Sequence, residues 1–91
     1  MTMAPIEILR KTRNLLNDPA RWFNQLSKYQ EGQYCIITAI VHVSKEHGRT
    51  CSLLGFTDPI EAWKWNDAPE RTHAEVLQRF DEAIARLEAA G

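Results

Sequence analysis

The C-terminal third of the chain carries the pattern that most restricts its fold. Val76, Leu77, Phe80, Ala83, Ile84 and Leu87 recur at intervals of one, three and four, the mark of a single apolar stripe along an α-helix. Thr72 and Glu75 precede that stripe at the spacing of a capping box, so the helix starts there and runs to about Ala89, with Gly91 beyond it. On its polar side Glu75 with Arg79 and Glu82 with Arg86 form i,i+4 pairs in the favourable orientation. A helix with one apolar stripe needs other elements to cover it. A chain of 91 residues has room for one core to do so, which predicts a single domain over residues 1–91.

The remaining elements are read from their starts and stops. Pro5 suits a first helical turn, and Ile8, Leu9, Leu15 and Leu16 give an apolar face to a helix over about 5–16. Asn17, Asp18 and Pro19 then stop and restart the chain, with Asp18 as cap. This predicts a second helix over about 19–29 with Trp22, Phe23 and Leu26 inward. Thr57 or Asp58 ahead of Pro59 opens a short helix that stops near Asn66, and Asn66 to Pro69 form a turn.

Between these units local rules conflict. Tyr34 to Val43 is rich in β-branched residues, which favours a strand. Ile36, Ile37, Ile40, Val41 and Ser44 also fit a helical stripe. A hairpin pairing this segment with Cys51 to Phe56 is the alternative to a buried central helix.

Hydrophobic residues at 44%, charged residues at 25% and a net charge of -1 describe ordinary globular composition. No run approaches 18 apolar residues, and Met1 to Ile8 lacks a basic stretch leading into a secretory apolar run; the expectation is a cytoplasmic protein without a membrane segment. Cys35 and Cys51 are too few for a disulfide scaffold and read as two reduced thiols, with one bridge between them as the alternative. Residues 1–45 hold six Lys/Arg against three Asp/Glu, and residues 46–91 hold five against nine. Arg10, Lys11 and Arg13 cluster within about one turn. Phosphate binding ordinarily recruits more cations than three, so nucleic acid is the weaker reading.

For chemistry, His73 stands out: it follows the proposed cap in register with Leu77, Phe80 and Ile84, so its ring faces inward or toward the neighbouring turn. His73 with Asp67 is the one candidate catalytic pair, and a structural bond from His73 to Asn66 or Asp67 is the competing role. Neither HExxH nor a Cys-x-x-Cys pair is present, which implies no metal site and no cofactor. Cys35 and His42 lie two helical turns apart, Cys51 near His47 has no acidic orienter, and neither makes a nucleophile site. Trp22, Trp63 and Trp65 are candidate interaction residues; Trp63 and Trp65, two apart on a helix, cannot share one core face, so one of them, Trp65 by preference, packs under the turn or lies in a groove.

The string Trp65-Asn66-Asp67-Ala68-Pro69-Glu70-Arg71-Thr72-His73-Ala74-Glu75-Val76-Leu77, followed by Asp81, Ala83 and Ile84, resembles the signature of a family of short bacterial and phage proteins known only as a domain of unknown function. Asp18-Pro19 with Trp22, and Tyr34 to Ile40, are similar more weakly, with Thr38 where members often carry Gly. The resemblance implies that 34–44 is helical. It brings Asn66, Asp67, Thr72, His73 and Glu75 as signature positions without assigned chemistry. The fold expected is therefore all-α, a bundle of four or five helices with the long C-terminal helix packed on the central segment, and α+β with a hairpin over about 34–56 is the alternative. The function expected is a non-enzymatic protein-interaction or regulatory module, self-associating or bound to another protein. The alternatives are a hydrolase-like or metal-binding protein using Asp67 and His73, or a nucleic-acid module using Arg10, Lys11 and Arg13.

Overall fold

Helix starts in this chain are written by prolines and caps, and the computed structural model, which describes residues 3–90, places them accordingly. Helix α1 (Pro5–Leu16) opens on Pro5, and α4 (Pro59–Asp67) opens on Pro59 with the Asp58 carboxylate accepting from Glu61 N at 2.8 Å. Between them lie α2 (Ile36–Ser44) and a short α3 (Arg49–Leu54), and α5 (His73–Ala90) closes the chain. The protein is all-α, with no strand among the described residues and a long C-terminal helix. Gly91, read as lying beyond that helix, falls outside the described residues.

The contested central segment is helix. Cys35 is its N-cap: Thr38 N donates to Cys35 Sγ at 3.5 Å, and Thr38 Oγ1 accepts from Cys35 N at 3.0 Å. Thr38 thus closes a capping box, which a Gly at this position cannot make. Ile36, Ala39 and Ile40 are buried, so packing outweighs the small helical penalty of β-branching. The expected hairpin partner, Cys51 to Phe56, is instead mostly α3, which ends at Gly55 with φ +81°.

Two expectations are corrected. The helix over about 19–29 does not form: the chain makes 3₁₀ turns at Pro19–Arg21 and Leu26–Lys28, with Trp22 extended and a bend at Asn24 and Gln25 between them. Asp18 does cap, accepting from Ala20 N at 2.9 Å, but Trp22 turns extended and forms an isolated parallel bridge with Tyr34. Tyr34 N donates to Arg21 O at 2.7 Å and Phe23 N to Tyr34 O at 3.2 Å. Backbone groups that a helix would pair internally find partners across the loop instead. Second, α5 packs chiefly on α1 and also on α3, whereas α2 is enclosed by α1, α3 and α4. Ile8, Leu9 and Leu16 of α1, Ile36 and Ile40 of α2, Leu54, and Val76 and Phe80 of α5 form the centre of the core. Each such side chain contributes about 1.5–3 kcal/mol by leaving water.

Candidate functional site

Asn66 sits in the last turn of α4, fully buried, and organises the region around it. Its Oδ1 accepts from Trp22 Nε1 at 2.8 Å and from Ile36 N, the first amide of α2, at 3.2 Å. Its Nδ2 donates to Phe23 O at 3.1 Å and to Asp67 Oδ1 at 3.0 Å. Asp67 Oδ1 also accepts from Gln25 N at 3.0 Å, and Asn24 Nδ2 donates to Ala68 O at 3.0 Å. One end of α4 thereby holds the 22–25 loop and the start of α2 together.

Thr72 and Glu75, after the turn, serve the start of α5. Glu75 N donates to Thr72 Oγ1 at 3.1 Å and Thr72 N to Glu75 Oε1 at 2.9 Å, a reciprocal capping box. The backbone and hydroxyl bonds from Thr72, with Arg71 beside them, hold the Glu75 carboxyl below the ordinary glutamate range. His73 Nε2 lies 2.6 Å from Leu16 O; because a carbonyl only accepts, Nε2 carries the proton and donates. His73 therefore ties the end of α1 to the start of α5, with its ring 6.2 Å from that of Trp22, and its bond runs to Leu16 and not to Asn66 or Asp67. His73 and Asp67 have separate partners, and no hydrogen bond joins them. Among the described residues no group of three or more His, Cys, Asp or Glu is arranged to hold a metal ion.

The three tryptophans have three fates. Trp22 is half-buried beside the core with its indole N–H on Asn66, Trp65 is half-buried beside Phe56, and Trp63 faces solvent. A feature missed in the sequence surrounds Trp65. The guanidinium of Arg71 lies 4.1 Å from the Trp65 ring centroid, and that of Arg79 lies 4.1 Å from Phe56 and 5.3 Å from Trp65. Arg79 Nε and Nη2 donate to Leu54 O, and Arg71 Nε donates to Trp65 O. Burial first, and then the neighbouring Arg86, push the Arg79 guanidinium down from its ordinary value. The expected Glu75–Arg79 and Glu82–Arg86 pairs are thus absent: Glu75 pairs with Arg71 at 3.1 Å, and Glu82 accepts from Gln78. A planar guanidinium gains more from aromatic faces and a helix-end carbonyl than from an exposed ion pair.

The Arg10, Lys11 and Arg13 cluster is neutralised within the fold. Arg10 meets Glu88 at 2.8 Å, Lys11 meets Glu7 at 3.7 Å, and Arg13 makes two parallel bonds to Asp81 at 2.6 and 3.4 Å. Those bonds hold the Arg13 proton more firmly than usual, against a smaller opposing effect of burial. Cys35 and Cys51 are both free thiols, Cys35 buried and Cys51 half-buried.

Compared with known proteins, residues 1–86 match the model of a family of unknown function (DUF6197). The chain belongs to that family. No curated protein and no solved structure matches it. In this DUF6197 chain no described helix is long and apolar enough to cross a membrane.

Proposed function

We propose that this chain is a non-enzymatic protein-interaction module whose partner is a second copy of itself. A matched pair of surfaces carries the reading. Leu26 and Tyr29 are 72% and 47% exposed, and with Phe23 and Tyr34 they line an apolar cleft of about 310 Å³. On α4, Ile60 and Trp63 stand one turn apart and are 61% and 54% exposed. An indole is large, flat and largely apolar, the chemistry that fills such a cleft and dominates binding at interfaces. In a two-fold dimer each copy inserts its α4 side chains and receives the other's, so both contacts form together.

The polar candidates support the same reading. Asn66, Thr72, Glu75 and one oxygen of Asp67 are hydrogen-bonded inside the chain, where they hold a loop and start two helices. A turn of this kind serves the fold, and a cytoplasmic setting suits two unpaired thiols. Light scattering over a concentration series is the test: the unaltered protein dimerises, whereas Trp63→Ser and Leu26→Ser remain monomeric with unchanged helical circular dichroism. A monomer at every attainable concentration, or a dimer that survives both substitutions, overturns the reading.

A further inference from the structure

Beside the end of α3 two arginines of α5 converge without a carboxylate between them. Helix α3 ends at Leu54, and Gly55, at φ +81°, turns the chain with no side chain in the way. A Cβ built on Gly55 would lie 3.8 Å from Arg86 Nη2 and 3.9 Å from Arg79 Nη2, so the two nitrogens are less than about 8 Å apart. One oxyanion accepting a bond of about 2.8 Å at each of two oxygens spans such a gap. The two guanidinium groups border a cavity of about 390 Å³, whose apolar wall comes from Leu53, Ala83 and Leu87.

Arg79 is held in place by its two bonds to Leu54 O and by the Phe56 ring, and its Nη1 has no hydrogen-bond partner among the described residues. Arg86 is exposed and makes no hydrogen bond or ion pair among the described residues. No carboxylate oxygen approaches either guanidinium within 4.0 Å there; Glu61 and Glu82 act on Arg79 only from farther off, and Glu82 accepts from Gln78. Two guanidinium charges this close repel unless an anion joins them. We infer that this cavity binds a small-molecule phosphate monoester, whose dianion matches the two guanidinium charges while its organic part lies on the Leu53, Ala83 and Leu87 wall. It shares no residue with the Phe23–Tyr34 cleft or with Trp63, so it stands or falls apart from the proposed dimer.

The test is a ¹⁵N NMR titration at low ionic strength with inorganic phosphate and then phenyl phosphate. Saturable shifts are expected at Leu53 to Gly55 and Arg79 to Leu87, with phenyl phosphate binding more tightly. Arg86→Gln, which removes no hydrogen bond or ion pair among the described residues and, by relieving the repulsion with Arg79, does not lower the melting temperature, weakens binding by about tenfold or more, the loss of one charge-assisted bond. No saturable shift, equal binding to R86Q, equal affinity for the two probes, or shifts centred on Arg10 to Arg13 would each overturn the assignment. A phosphotyrosine peptide that binds better than phenyl phosphate would overturn the small-molecule class.

Discussion

Asn66 is a poor helix former placed in a helix because four partners require it there. Removing its amide leaves Trp22 Nε1, Ile36 N and Phe23 O without their partner. Asn66→Ala is therefore expected to cost at least about 3 kcal/mol, at about 1–3 kcal/mol for each of the three polar groups left unpaired, read as a lowered urea midpoint. Glu75 makes a prediction in pH. Its carboxyl is depressed in the folded chain, so its stabilisation is present above the unfolded glutamate value of about 4.3 and fades as pH falls through the lower folded value. Glu75→Gln is accordingly less stable at neutral pH, and its urea midpoint declines less between neutral and acid pH than that of the unaltered chain. Equal slopes for the two proteins would remove the carboxylate from this account.

Among the elements, those that follow local rules were legible in advance and the 19–34 stretch was not. Pro5, the Asp58-Pro59 pair and the Thr72/Glu75 box act within one turn, and each starts a helix where the pattern put it. Asp18-Pro19 is as good a start signal, yet only one 3₁₀ turn follows, because Asn66 and Asp67 offer acceptors and donors to Trp22, Phe23 and Gln25. That loop forces Gln25 to φ +69°, a region that costs a residue with a side chain about 1–3 kcal/mol. Relief of this strain, less about 1 kcal/mol of added backbone entropy in the unfolded chain, makes Gln25→Gly neutral to stabilising by up to about 2 kcal/mol. Thermal melts decide it: a clear drop in melting temperature would mean that the side chain, and not the Asp67 bond to its amide, holds the turn.

At the scale of the whole molecule, the opposite charges of the two halves of the sequence acquire a place. The basic residues of α1 face acidic residues of α5 through Arg10–Glu88 and Arg13–Asp81. Exposed pairs of this kind contribute only about 0.2–1 kcal/mol each, so they set which faces meet while apolar burial supplies the stability. With Lys11–Glu7, the same pairing sets a carboxylate against each cation of the Arg10, Lys11 and Arg13 cluster. The residues named for the candidate site were readable because Asn, Asp, Thr and Glu around a turn have few local roles. The Arg71, Trp65, Arg79 and Phe56 stack was not, since nothing local distinguishes a stacked arginine from one in an i,i+4 pair.

By itself the sequence determined an all-helical stop-and-start plan over most of the chain, since caps, prolines and apolar stripes act between residues at most four apart. Tertiary structure decided the rest: that α5 lies on α1, that 19–34 stays a loop, and that Arg79 turns to Leu54. Each of those outcomes rests on a partner 25 or more residues away, as with Trp22 and Asn66, 44 apart, or Arg79 and Leu54, 25 apart. Competition between a local bond and a distant one is settled only when packing brings the distant group within reach and excludes water from both.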